Sequence, residues 1–363
     1  MQLTSISAER VLAPEGWLNA AEVRFEEGRF CGISQTSKPT DFAYLAPGFV
    51  DIQVNGFADV DLASSPPDEW PKLAPTLSVS GVTSWLPTLI SQPLDAYGRW
   101  LEELAVFADH RQGPRVLGAH LEGPWLGELT GAHQDVATGP VDLEWCRSLP
   151  PSVRLITLGP ERAGVIEAIS YLTQRGIVVA AGHSSADYAA AQQAFDAGVS
   201  LLTHCFNAST PIHHRKPGLT AAALARDDAF ISIIADGEHL HPDILKIAVR
   251  AKSPAKTILI SDSAGWAKGN LGATKISLVG GVPRTPDGGL AGSCLTLDAA
   301  VKYVVEHCVM GLDDALRSAS CVPAELLGET DIGLIKVGAW ADLVAFDDSL
   351  EVRGVWCQGT QIA

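Results

Sequence analysis

Eight nearly continuous apolar runs recur along the middle of the chain. They are GFVDIQVNG (48–56), GVTSWLPTL (81–89), RVLGAHLEG (115–123), VRLITLGPE (153–161), GIVVAAGHS (176–184), VSLLTHCFN (199–207), AFISIIADG (229–237) and TILISDSAG (257–265). Each reads as a strand of a parallel sheet, buried on both faces. Between several of them lie LDAYGRWLEELAVFAD, AGVIEAISYLTQR, ADYAAAQQAFDAG and PDILKIAVRAK, whose apolar residues fall at helical spacing. Eight strand–helix units in series predict an α/β fold, a (β/α)8 TIM-like barrel, over residues 47–332. The two ends differ. Residues 1–46 and 333–363 hold short β-like pieces with Gly punctuation, and neither is large enough to build a core alone. They are expected to pack together as one small β-sandwich domain beside the barrel. The Gly-rich stretch from about 266 to 293 reads as a hairpin excursion after the eighth strand, close to the site.

Polar residues collect at the ends of four of these runs: Glu122, His183, His204 and Asp262. A barrel of this kind carries its active site at the C-terminal ends of the strands. Any one such residue is as well explained as a buried, internally hydrogen-bonded group. A set of matching chemistry at the same end of successive strands points to a site. Two imidazoles and one carboxylate suit a divalent metal such as Zn²⁺ and leave a position for water, the pattern of a catalytic metal. Water on such a metal has its pKa lowered toward ~7. Asp262 is then placed to act as general base, or as a fourth ligand; the spacing allows both. Fe²⁺, Co²⁺ and Mn²⁺ suit the same donors, and affinity order does not decide among them.

Further residues surround this set. Gln53 and Asn55, two apart on the first strand, face the same side, into the barrel mouth. Neutral amides are poor metal ligands but good hydrogen-bonding groups for water or substrate. The loop THCFNASTPIHHRKPG (203–218) carries Asn207, His213, His214, Arg215 and Lys216 after His204. Its run of cationic groups forms a candidate phosphate or carboxylate pocket. In ADGEHLHP (235–242), His239 ends the seventh run, where it can polarise a carbonyl oxygen.

Composition narrows the partners. Of 363 residues, 47% are hydrophobic and 19% charged, enough to bury a large core, and the formal net charge is −16. Nucleic acid and anionic membrane are therefore not expected as partners, and an anionic substrate needs a local basic pocket. No apolar stretch is long enough to span a bilayer, and no secretory leader is visible. Seven Cys without a CxxC pair fit reduced thiols in a cytoplasmic protein.

In order, GFVDIQVNG, HLEGPW, AGHSSADY, THCFNA with HHRKPG, IADGEHLHP, ISDSAG and LAGSCLTLDAAV resemble the motifs of N-acetylglucosamine-6-phosphate deacetylases of the amidohydrolase superfamily. GLIKVGAWADLVAFD is similar to the closing strand motif of many amidohydrolases. The resemblance runs from about residue 46 to 347. It implies hydrolysis of a phosphorylated N-acetyl amino sugar with one metal per chain. Glu122, His183 and His204 would hold the metal, and Asp262 would act as base and then acid. His239 would contact the acetyl carbonyl, and Arg215 with Asn207–Ala208 the phosphate. Ala132 and His133 in GAH, and Leu290-Ala291-Gly292, would contact substrate. The counterpart of Arg215 can reach a neighbouring subunit's site, so a homodimer is implied. Several positions depart from the wider pattern. Gln53-Val54-Asn55 stands where many amidohydrolases have a His-x-His pair, as in a single-metal branch. Asp262-Ser263-Ala264 replaces an Asp-Ala-Met-like segment. Asn207-Ala208-Ser209-Thr210 replaces Asn-Ala-Met, and Lys216 stands where Glu is frequent. With these differences, the galactosamine epimer or another N-acyl amide stays open as substrate beside glucosamine. A non-catalytic binding protein on the same fold is the remaining alternative.

Overall fold

The computed structural model describes residues 3–109 and 113–363. Its centre is a ladder of eight parallel strands: Phe49–Val54, Val82–Ile90, Ala119–Glu122, Val153–Leu158, Val178–Ala181, Val199–Leu202, Phe230–Ile233 and Thr257–Leu259. Each falls inside one of the eight apolar runs, except that the second extends one residue past its run, to Ile90. All neighbours pair in parallel, and a short strand, Arg115–Val116, adds to the side of Val82–Ile90. The barrel closes where the eighth strand meets the first. Asn55 N–H donates to Ser263 O at 2.9 Å, and Asp262 N–H donates to Gln53 O at 3.0 Å.

The burial pattern explains why these runs lack alternation. Every residue of Phe49–Val54 and of Val82–Ile90 is buried, one side facing the barrel interior and the other the helices. The expected helices form at Leu94–Ala108, Val165–Gln174, Tyr188–Ala197 and Pro242–Lys252. Tyr188–Ala197 starts where the Asp187 side chain accepts from Ala190 N–H at 2.8 Å, which satisfies one of its free donors. The barrel interior is not wholly apolar. His120, fully buried and two residues before Glu122, bonds Ile52 O through Nδ1 (3.1 Å) and Thr157 Oγ1 through Nε2 (2.9 Å). A backbone carbonyl only accepts, so Nδ1 carries the hydrogen and Nε2 accepts from the Thr157 hydroxyl. Burial pushes His120 down to about 4, so it is a neutral structural residue beneath the site.

The chain ends form a seven-stranded sheet of their own. Thr4–Ala13, Gly16–Glu26, Arg29–Gln35 and Phe42–Pro47 are joined by Leu343–Phe346, Val352–Cys357 and Thr360–Gln361. The two termini meet where Leu343–Phe346 pairs antiparallel with Phe42–Pro47. Phe25, Phe30, Leu45, Leu343 and Trp356 share an apolar cluster separate from the barrel core. After Asp262 the chain leaves the barrel through two small hairpins, Asn270–Leu271 with Thr274–Lys275 and Ser277–Val279 with Val282–Arg284. It returns at Ser293, whose N–H donates to Asp262 O at 2.8 Å. This excursion forms one wall over the barrel mouth.

Candidate active site

Glu122 is the last residue of its strand. His183, His204 and Asp262 lie just past theirs, and all three take left-handed backbone conformations, with φ of 50°, 26° and 48°. Non-glycine residues avoid this region, at a cost of order 1–3 kcal/mol each, and such strain concentrates at functional sites. The turns hold it in place. Glu161 accepts from Ser184 Oγ (2.5 Å) and Ser185 N–H (2.8 Å) directly after His183. His204 N–H donates to Ser232 Oγ at 2.8 Å.

These strand ends bring three donors face to face. Glu122 Oε1 lies 3.2 Å from His183 Nε2 and 3.1 Å from His204 Nε2, and the two Nε2 atoms are 3.0 Å apart. His183 Nδ1 faces Leu129 O at 3.3 Å, so it carries that ring's hydrogen. Burial also pushes His183 down to about 4, keeping the ring neutral. The Nε2 lone pair of His183 therefore points at a carboxylate oxygen, acceptor against acceptor, unless a cation lies between them. Ligands at 2.0–2.2 Å from a metal stand roughly 3 Å apart, so the triangle fits a divalent metal in chemistry and in size. Burial acts to raise Glu122, but the charge and hydrogen bond of His133, then His183 and His204, hold its carboxyl well below the usual range. It is ionised. Glu122, His133 and His183 are also close enough to share an ion. His133 meets Glu122 through the other oxygen, at 3.4 Å, and its Nδ1 lies 3.2 Å from Ser91 Oγ. His204 makes the tighter contacts, 3.1 Å to Glu122 Oε1 and 3.0 Å to His183 Nε2.

Asp262 stands beside the triangle. Its Oδ1 accepts from Asn55 Nδ2 at 2.8 Å and from Gln53 Nε2 at 3.0 Å. Burial, then the Glu122 charge, raise Asp262 to about 6, against the pull of His204, His239 and the Asn55 bond. A group that titrates near neutrality can take a proton and give it back.

A cavity of about 330 Å³ opens above these residues. Of the residues expected to meet substrate, Asn55, Ala132, His133, Asn207, Ala208, His239, Leu290 and Gly292 line it, with Glu122, His183, His204 and Asp262 at its floor. Three expectations of substrate contact change. Gln53 does not reach the cavity. It is 1% exposed, its Nε2 hydrogens go to Glu122 and Asp262, and its Oε1 accepts from Thr203 Oγ1 at 2.9 Å. Ala291 packs behind the wall, with Ile90, Ala264, Leu271 and Ile276. Arg215 is exposed and outside its own chain's cavity, its guanidinium 2.7 Å from His214 Nε2. The cavity wall contains no Lys or Arg among the described residues.

Sequence reasoning passed over several contributors. Thr203 orients Gln53, yet reads as one more residue of an apolar strand. Thr285 and Asp287 reach the cavity from the hairpin excursion, whose path no periodicity predicts. Asp236, inside ADGEHLHP, lies 2.7 Å from His239 Nδ1; an Asp three residues before a candidate His was the available signal.

Known proteins place this arrangement. The amidohydrolase family model matches residues 165–362. N-acetylgalactosamine-6-phosphate deacetylase of Escherichia coli O157:H7 is 36% identical over 98% of both chains. N-acetylglucosamine-6-phosphate deacetylase of Bos taurus is 35% identical over 96% of this chain and 88% of its own. N-acetylglucosamine-6-phosphate deacetylase of Thermotoga maritima superposes with a TM-score of 0.93 at 28% identity, covering 99% of each chain. A mutant of the Mycobacterium smegmatis deacetylase, in complex with N-acetyl-D-glucosamine-6-phosphate, gives 0.93 at 29% identity over 100% of each. Relatives at this identity along nearly the whole length leave one assignment: the chain belongs to the amidohydrolase family, in the branch of the N-acetylglucosamine-6-phosphate deacetylases.

Proposed function

We propose that this protein hydrolyses N-acetyl-D-glucosamine 6-phosphate to D-glucosamine 6-phosphate and acetate. The observation that carries the reading is the donor triangle of Glu122, His183 and His204 with Asp262 beside it, at the floor of one cavity. A metal-dependent amide hydrolase needs those parts, and a binding protein has no use for a buried base near neutrality. The M. smegmatis relative bound to N-acetyl-D-glucosamine-6-phosphate supports the glucosamine epimer. The E. coli relative named for the galactosamine epimer is the second reading, and it favours testing both sugars.

Glu122, His183 and His204 would hold the metal, with Zn²⁺ our choice for a set of two imidazoles and a carboxylate. A dication there supplies Lewis acidity toward the acetyl carbonyl and makes a nearby water more acidic. Asp262 takes the proton from the attacking water and returns it to the departing amine nitrogen. Asn55 and Gln53 keep its Oδ1 aimed during both transfers. His239 donates a hydrogen bond to the carbonyl oxygen as negative charge develops. Asn207 and Ala208 would meet the phosphate. Among the described residues no Lys or Arg of their own chain lines the cavity, which supports a homodimer in which Arg215 serves the neighbouring site.

Two coarser points complete the proposal. We divide the chain into residues 1–46 with 333–363 and residues 47–332; the apolar cluster confined to the terminal segments supports this, while Leu12, Ala46, Val344, Phe346 and Val355 pack that unit onto the barrel core. All seven cysteines are free, and no described helix is long and apolar enough to cross a membrane; a cytoplasmic site of action is consistent with both. Acetate release from the 6-phosphates of N-acetylglucosamine and N-acetylgalactosamine, with metal content measured on the same sample, tests the function. Release from neither sugar by metal-loaded protein would overturn it.

A further inference from the structure

Asp236 does not line the cavity and stands behind His239. It begins the turn Asp236-Gly237-Glu238-His239 after the seventh strand. Its Oδ1 accepts from the backbone N–H of Glu238 and of His239, each at 2.9 Å. Its Oδ2 accepts from His239 Nδ1 at 2.7 Å. Both side chains are shielded, at 13% and 4% exposure. One carboxylate therefore fixes the backbone of the turn and the ring at its end. Gly237 is required between them. Its φ is +81°, and a Cβ there would lie 2.8 Å from the Tyr303 hydroxyl. Burial acts to raise Asp236, but the His239 hydrogen bond and charge and the two backbone donors hold it below the usual carboxylate range. It is an anion that only accepts.

This arrangement decides the state of His239. Nδ1 must carry a hydrogen, which leaves Nε2 as the nitrogen available to the cavity that His239 lines. An Nε2 that stabilises a carbonyl oxygen must carry a hydrogen as well. The ring is then a cation, and the Asp236 carboxylate at 2.7 Å is its counter-charge. We propose that Asp236 is a positioning residue for deacetylation, holding the His239 ring in orientation and supplying the charge that lets Nε2 act as a cationic donor to the developing oxyanion. The inference rests on the role given to His239 above.

The test compares native protein, Asp236→Asn, His239→Asn and the double variant, each metal-loaded, on N-acetylglucosamine 6-phosphate. In Asp236→Asn the amide oxygen can still accept the two backbone N–H groups, while the amide nitrogen donates to Nδ1. The ring stays in place but becomes neutral, with its hydrogen on Nε2. The expected result is a fall in kcat of about tenfold or more with KM little changed. In the His239→Asn background the same substitution should change kcat by less than about twofold, because no imidazole remains to position. An equal loss in both backgrounds, or native kcat in Asp236→Asn, overturns the inference and leaves His239 untouched. Native turnover in His239→Asn removes the role of His239 itself, and this inference with it. Melting temperature and metal content are measured on every variant. Should Asp236→Asn not fold, Asp236→Ser carries the same comparison, since its hydroxyl can serve the turn without reaching the ring.

Discussion

Gln53 donates one amide hydrogen to Glu122 Oε1 at 2.9 Å. The same nitrogen reaches Asp262 Oδ1 at 3.0 Å, and Thr203 fixes the amide's direction by donating to its oxygen. The amide thus sits between the Glu122 and Asp262 carboxylates and donates to both, which offsets their mutual repulsion. Neither Gln53 nor Asn55 offers a good metal donor. The expected stoichiometry is one tightly bound divalent ion per chain, measured by elemental analysis after exhaustive dialysis. Two ions retained per chain would refute the bridging role of Gln53.

Asp262→Asn should keep the metal, because Asp262 is not a corner of the donor triangle. On the proposed mechanism it removes the group that takes and returns the proton. Turnover is expected to fall by a factor on the order of 10³ or more, with metal content unchanged. A variant that loses its metal instead would make Asp262 a ligand, the alternative its strand-end position leaves open.

The barrel was legible because parallel strands buried on both faces must be apolar throughout, and eight such runs survive in the sequence. The gathering of Glu122, His183 and His204 was legible because polar side chains at the ends of apolar strands are conspicuous in the sequence. Gln53 was misjudged for a physical reason. Strand alternation says which side of the barrel a residue faces, and it does not say how deep. Gln53 and Asn55 point the same way, but Gln53 lies one layer lower, under Glu122 and Asp262, and only Asn55 meets the cavity. The left-handed backbone of His183, His204 and Asp262 left no mark either, because none of the three is a glycine.

Asn55 holds Asp262 Oδ1 at 2.8 Å, and that bond favours the ionised base. Asn55→Leu removes it. The protonated form of Asp262 then gains relative to the carboxylate, so its pKa rises. Because the base works when ionised, the acid limb of kcat against pH should move to higher pH than in native protein. Each protein is compared at the same metal loading, since a dication beside Asp262 pulls the limb down in both. A limb that stays in place would show that Asn55 does not tune the base.

Arg215 is exposed, and no Lys or Arg lines its own cavity among the described residues. If it serves a partner's phosphate, Arg215→Ala should raise KM for the 6-phosphate by roughly tenfold or more, with a much smaller change in kcat. Mixed dimers discriminate further. Arg215→Ala and Asp262→Asn chains, unfolded and refolded together, should show a component with native KM that neither parent has at high turnover, because one site in each hybrid receives both an intact base and the partner's arginine. Hybrids that turn over only with the raised KM of the Arg215→Ala parent would place Arg215 outside the neighbouring site.

Asp51 is a buried acid that the chemistry does not use. One oxygen accepts from Gln53 N–H at 3.2 Å and from Ser261 N–H at 3.4 Å, while Oδ2 has no partner. Burial raises Asp51 to about 7, only partly offset by its hydrogen bonds to Ser261 and Gln53. The sign of the linkage follows from that elevation. Below the unfolded-state value of about 4, Asp51 is protonated in both states and imposes no penalty. Between about 4 and 7 the unfolded chain releases the proton while the folded chain keeps it, so folding stability falls as pH rises. Above 7 the penalty is complete, on the order of a few kcal/mol at most. Asp51→Asn removes the ionisation and keeps the shape. Its melting temperature should exceed that of native protein at pH 8, and the difference should shrink toward zero as pH approaches 4. A gap that widens on acidification would mean that Asp51 is ionised and paired in the folded protein.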